Sequence, residues 1–150
     1  KDTTAIITRI EAMKQRAYAL GIDNVEIRSA SENYLEEYNE IDIAFDTYPY
    51  EGGTTLCEAL YMGVPMICLR GDSHSRNIAA SILHYVSKEE LLADDESDYV
   101  EKAVSLANNT DRIKNYRTNI RKDVKSHFLL QCNNYIREIE EIFQNLLIII

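Results

Sequence analysis

Apolar residues recur along this chain with helical and strand-like spacing, and they lay out helices alternating with short strands. Between Thr4 and Leu20 they fall at Ile6, Ile10, Met13, Ala17 and Leu20, a spacing that puts them on one helix face. Gly21 follows where a left-handed residue ends a helix. Val25–Arg28 has the composition of a short strand. Ser31–Glu40 is polar, with Tyr34, Leu35 and Tyr38 at helical spacing, and predicts a short helix. Ile41–Asp46 is almost continuously apolar, which suits a strand buried on both faces in a parallel sheet.

Thr55–Met62 is expected to be helical. Thr55-Leu56-Cys57-Glu58 fits a capping box, in which hydroxyl and carboxylate each satisfy an orphan N–H. Gly63 and Pro65 stop that helix, and Pro65–Leu69 is the next strand. Ser75–Val86 is a helix through Ile78, Ala79, Ile82 and Val86. The acid-rich stretch Lys88–Asp98 reads as a solvated loop and helix start. Further helices follow at Asp98–Ala107, Asp111–Val124 and about Gln131–Leu147. The last carries Tyr135, Ile136, Ile139, Ile142, Phe143 and Leu146, with one face expected on the core.

This alternation gives an α/β fold: a Rossmann-like parallel sheet with flanking helices. Residues 1–150 read as one partial lobe, with C-terminal helices from about 98 to 147. Only three strands are convincing, whereas a doubly wound domain has about five or six, so the chain reads as the later part of one.

Composition narrows the function classes. A net charge of −9 argues against a protein that binds nucleic acid through its overall field. Cysteines at 57, 68 and 132 are odd in number and lack paired spacing. Buried free thiols in a reducing, cytoplasmic setting are expected. No run approaches the roughly 18 apolar residues of a membrane span, Leu146–Ile150 being short. No signal-peptide pattern is visible.

The candidate chemistry sits at Gly52-Gly53-Thr54-Thr55, after strand Ile41–Asp46 and at a helix start. In open parallel sheets ligands bind beyond the carboxyl ends of the strands. A helix start there offers unpaired N–H groups and a partial positive charge. Two glycines permit close backbone approach, and two hydroxyls add donors. This is a diphosphate seat that needs no lysine. The motif alone is equally a tight turn followed by an N-cap. Glu58 is likewise open: it either reaches back to Thr55 or accepts hydrogen bonds from a ribose.

The run DIAFDTYPYEGGTTLCEALYMGVPMICLRGDSHSRNIAASIL resembles the C-terminal catalytic lobe of the O-GlcNAc transferase family, including SPINDLY-type proteins and bacterial relatives with tetratricopeptide repeats. The likeness covers roughly Val25 to Leu92 and is weaker beyond. It implies a GT-B glycosyltransferase, two Rossmann-like lobes with the active site between them, and a UDP-sugar donor held without metal or cofactor. It implies that Gly53, Thr54 and Thr55 hold the diphosphate, that Glu58 binds the ribose, and that Tyr34 lies against uracil. Backbone contacts to the base fall near Ser29 and Ala30. It further implies a protein acceptor and an upstream lobe supplying the catalytic base and leaving-group lysine.

Two positions depart from the family pattern. Ser31 stands where the eukaryotic enzymes have a lysine, and at Arg76-Asn77 the expected arginine is either displaced by one residue or replaced. No in-chain catalytic residue emerges. His74, in the loop after strand Pro65–Leu69, is a weak candidate; His84 reads as a helix-surface residue and His127 as a connector. Three readings remain: the donor-binding lobe of a protein O-glycosyltransferase, inactive alone; a UDP-binding module without catalysis; or a structural lobe whose last helix mediates assembly.

Overall fold

The computed structural model describes residues 3–127 and 132–147. The chain divides into two compact units, Lys1–Tyr34 and Leu35–Ile150, and each is described by itself.

The first unit contains α1 (Thr3–Ala19). It ends as expected at Gly21 (φ +76°). The N–H of Ile22 reaches Ala17 C=O (3.0 Å) and that of Gly21 reaches Tyr18 C=O (2.9 Å), a Schellman closure. On the predicted apolar face, Ile6, Met13 and Leu20 are exposed. Val25–Arg28 is irregular chain rather than the predicted strand. Glu26 and Arg28 instead form a surface ion pair.

The predicted Ser31–Glu40 helix shrinks to one turn, α2 (Tyr34–Glu37), which begins on the last residue of the first unit, and a 3-10 turn at Tyr38–Glu40 in the second. Then come β1 (Ala44–Phe45), α3 (Gly53–Tyr61), β2 (Met66–Leu69), a 3-10 turn (His74–Arg76) and α4 (Ile78–Tyr85). After a 3-10 turn at Glu89–Leu91 follow β3 (Leu92–Ala93), α5 (Glu96–Ala107), α6 (Thr110–Ser126) and α7 (Cys132–Leu147). The three strands form one parallel sheet in the order β1-β2-β3. Ala44 pairs with Met66, Phe45 with Ile67, Cys68 with Leu92 and Leu69 with Ala93.

Burial follows from this order. The central β2 is covered on both faces, and Met66, Ile67 and Cys68 are buried. Around it pack Leu56, Ala59 and Leu60 of α3, Leu83 of α4, Leu106 of α5 and Ile120 of α6. Among the described residues β1 pairs with β2 alone and lies at the sheet edge, so Ile41–Asp46 is shorter and wetter than its apolar run predicts, and Phe45 is 56% exposed. The acid-rich segment Lys88–Asp98 is not merely a solvated loop. Leu91, Leu92 and Ala93 inside it are buried, and Leu92–Ala93 form β3.

The helix ends show why the boundaries fall where they do. Asn77 splits the predicted Ser75–Val86 helix. Its side-chain amide donates to Gly71 C=O (2.8 Å) and Ser73 C=O (3.1 Å) and accepts from Gly71 N–H (3.3 Å), fixing a loop before α4. Asp95 caps α5 by accepting from Asp98 N–H (2.8 Å), and Asn109 caps α6 by accepting from Arg112 N–H (3.0 Å). The stripe on α7 does not lie on the core. Tyr135, Ile136, Ile142, Phe143 and Leu146 are exposed and Ile139 is 36% exposed. Gln131, the expected start of that helix, and Ile148–Ile150 lie outside the described residues.

Candidate functional site at the start of α3

β1 delivers Asp46 to the carboxyl edge of the sheet. The chain then turns through Thr47–Gly52 into α3. Oδ1 of Asp46 accepts from Thr47 N–H (2.9 Å) and from Gly52 N–H (2.9 Å), closing the loop at both ends. Thr47 Oγ1 donates to Tyr50 C=O (2.7 Å) within it. Two distant groups tie this loop to the rest of the unit. The Tyr99 hydroxyl, on α5, donates to Asp46 C=O (3.1 Å). Oε2 of Glu51 accepts from Ala79 N–H in the first turn of α4 (2.7 Å).

α3 begins two residues earlier than predicted. Its N-cap is Gly52, which has no side chain to cap with, so the capping box at Thr55 and Glu58 does not form. The first ladder bond runs from Leu56 N–H to Gly52 C=O (2.8 Å). The N–H groups of Gly53, Thr54 and Thr55 therefore precede the ladder and sit at the positive end of the helix. Thr54 and Thr55 are exposed and Gly53 is half-buried. A Cβ on Gly53 would lie 3.0 Å from Ile78 Cγ2, and one on Gly52 3.2 Å from Thr55 Cβ. Both glycines thus sit where the backbone is closely approached.

Glu58 is half-buried one turn on, on the same side of α3 as Thr54. That side borders an apolar cavity of about 260 Å³, lined also by Leu35, Cys57, Tyr61, Ile82 and Val124. Gly53, Thr54, Thr55 and Glu58 are thus brought together by one helix. Ser29, Ala30 and Tyr34 belong to the first unit, where Ser29 and Ala30 are exposed in irregular chain and Tyr34 is exposed at the start of α2.

Behind the loop lies a cluster of acidic and weakly acidic groups. Glu51 is 4% exposed, and its Oε1 is buried without a hydrogen-bond partner among the described residues, as is Oδ2 of Asp46. Burial, reinforced by the Asp46 charge, raises the Glu51 pKa above the ordinary carboxylate value, although the Ala79 N–H pulls the other way. Burial also pushes the Cys68 thiol far up, with Asp46 and Glu51 adding to it. The Tyr99 hydroxyl is pushed up to about 12 by burial and then by Cys68 and Asp46. Cys68 is a buried free thiol as expected, whereas Cys57 is exposed.

His74 stands exposed in the turn after β2. His84 meets Glu89 Oε1 (2.8 Å), and His127 is the C-cap of α6. Arg76 lies with its guanidinium 4.6 Å above the Tyr48 ring and donates to Asp72 (2.8 Å), so it braces the β1 and β2 loops against each other. Asp46, Glu51, Tyr99 and Arg76 were not singled out in the sequence as site residues. The position of Asp46 at a strand end carried a signal, and Arg76 stood beside the place of the family's expected arginine.

The profile described as glycosyl transferase family 41 matches residues 10–139. A protein from Solanum lycopersicum named probable UDP-N-acetylglucosamine–peptide N-acetylglucosaminyltransferase SPINDLY is 34% identical over 125 residues, which is 83% of this chain and 13% of that one. A UDP-N-acetylglucosamine–peptide N-acetylglucosaminyltransferase from Caenorhabditis elegans is 27% identical, over 76% of this chain and 10% of that one. The solved structure of a Thermobaculum terrenum O-GlcNAc transferase mutant superposes with a TM-score of 0.79 at 25% identity. The match covers 91% of this chain and 27% of that chain. The chain thus spans a small part of each protein it matches, and the α/β architecture described above is that of the transferase lobe. It belongs to glycosyl transferase family 41.

Proposed function

We propose that this chain is the UDP-sugar-binding lobe of a protein O-glycosyltransferase, with Gly53, Thr54 and Thr55 seating the diphosphate and Glu58 the ribose. The observation that carries this reading is the start of α3. Three N–H groups ahead of the helix ladder, two of them on exposed threonines, stand at the carboxyl edge of a parallel sheet. The names of the relatives point to UDP-N-acetylglucosamine as donor and a peptide as acceptor; serine or threonine as the acceptor residue comes from the family resemblance. Ser29, Ala30 and Tyr34 are assigned to the base by the family resemblance.

In this reading the reaction is a metal-independent displacement. Negative charge grows on the departing UDP, and the N–H groups and hydroxyls at the start of α3 stabilise it. No base is assigned within this chain, His74 being the weak exception, so the base and a leaving-group lysine come from a further lobe of the parent, along with tetratricopeptide repeats. The isolated chain binds the donor and does not turn over. A reducing, cytoplasmic setting fits the free thiols of Cys57 and Cys68.

Calorimetry with UDP tests the reading. Saturable binding that is lost in Thr55→Ala and Glu58→Ala, with chelator present, supports it. A folded chain that takes up no UDP at millimolar concentration sinks it. Turnover by the isolated chain contradicts the claim that the base lies elsewhere. A second reading, a structural lobe that assembles through α7, is favoured by the exposed apolar stripe from Tyr135 to Leu146, and the same experiment separates it.

A further inference from the structure

We infer that Asp46 is the positioning residue of the seat at the start of α3; the inference rests on the reading of Gly53–Thr55 as that seat. Asp46 Oδ1 holds the N–H of Thr47 and the N–H of Gly52, each at 2.9 Å, so one oxygen pins both ends of the loop. Gly52 is the N-cap of α3. Its N–H is turned inward to the carboxylate, and the donors offered outward begin at Gly53. The strand end itself is held by Tyr99, through Asp46 C=O. The fit is close: a Cβ on Gly52 would come 3.4 Å from Asp46 Oδ1.

This arrangement has an electrostatic cost. A carboxylate behind an anion seat repels the anion, and here Oδ2 is buried with no hydrogen-bond partner among the described residues. Asp46 is therefore tolerated for the two hydrogen bonds it accepts, not for its charge. The two roles separate chemically. Asparagine keeps an acceptor at Oδ1, drops the charge, and puts an amide where Oδ2 stands. Alanine removes both.

The test is calorimetric titration of the chain with UDP, using wild type, Asp46→Asn and Asp46→Ala, beside amide chemical shifts of the wild type. Asp46→Asn is expected to bind no more weakly than wild type, and about two- to fivefold more tightly at low salt, the gap closing as salt rises. Asp46→Ala is expected to bind at least about tenfold more weakly while still folded. In the wild type, UDP is expected to shift the amides of Gly53, Thr54 and Thr55 and to leave that of Gly52 nearly unmoved. That readout stands even if Asp46→Ala does not fold. A Gly52 amide that moves as far as its neighbours overturns the inference, as does about tenfold weaker binding by Asp46→Asn. Wild type that binds UDP alongside a folded Asp46→Ala of equal affinity defeats the Asp46 inference alone. Wild type that binds no UDP removes the seat and this inference with it.

Discussion

Arg117, on α6, donates to the carbonyl of Met62 (3.2 Å), the residue that closes the C-terminal end of α3. The same guanidinium also donates to the carbonyls of Tyr38 (3.1 Å) and Ile41. One planar fork thus joins the turn before β1 to the end of the helix whose start is the candidate seat. Lysine has the charge without the fork. Arg117→Lys is expected to cost about 2–4 kcal/mol in urea unfolding, because main-chain acceptors lose their partner. A loss under about 0.5 kcal/mol, the range of ordinary surface substitutions, would show that the fork is incidental.

Gly63 follows Met62 with φ +86°, and an added Cβ would stand 3.0 Å from Arg117 C=O. Left-handed backbone and a fixed neighbour act together. Gly63→Ala should destabilise by about 1–3 kcal/mol. Thermal unfolding measures it, and a neutral result would mean that α6 gives way at this contact.

Glu51 makes stability depend on pH in an unusual direction. Its folded pKa lies above the ordinary 4.5, so the folded chain holds a proton that the unfolded chain releases. Its contribution is fully present below pH 4.5 and falls as pH rises through the elevated folded value. Glu51→Gln keeps an acceptor for Ala79 and cannot ionise. The stability of Glu51→Gln minus that of wild type should therefore grow upward from about pH 4.5, measured by denaturant unfolding at a series of pH values. A flat difference profile contradicts the burial argument.

Asp95 caps α5, the helix that carries Tyr99 to Asp46. Asp95→Ala should cost about 1 kcal/mol and Asp95→Ser much less. If the two variants melt together, the cap contributes nothing measurable.

The stripe on α7 lies outside the core cluster, and Phe143 is 62% exposed. Phe143→Ser should change the unfolding free energy of the chain by less than about 0.5 kcal/mol. A core-like loss of several kcal/mol would reveal packing that the exposed surface of Phe143 does not suggest.

Much of this was legible in the chain itself. The apolar steps from Gln131 to Leu147, Asp111 to Val124 and Asp98 to Ala107 gave the long helices, and Pro65–Leu69 gave the central strand. The glycine-threonine turn was found at the sheet edge where it lies. What failed did so for physical reasons. Leu92-Ala93 is too short to show a period among acids, yet it pairs with β2. Ile41–Asp46 read as doubly covered because composition does not reveal which strand is the edge. The start of α3 was misplaced because the local pattern favoured Thr55, whereas the loop is set by partners far away in sequence. Asp46 meets Tyr99 at a separation of 53 residues, and Glu51 meets Ala79 at 28. No window of the sequence contains both members of either pair.

Those separations have a kinetic consequence. The loop before α3 is shaped by α4 and α5, and the far end of α3 by α6, through contacts as distant as 55 residues. Such closures come late and raise contact order, so folding of this unit should be slower than that of a helical bundle of its length. The first turn of α3 can form early by itself, but it acquires its orientation only when the chain as far as Arg117 has folded. A partly folded chain, or one stalled before α6 during synthesis, would hold the glycine-threonine sequence without the seat.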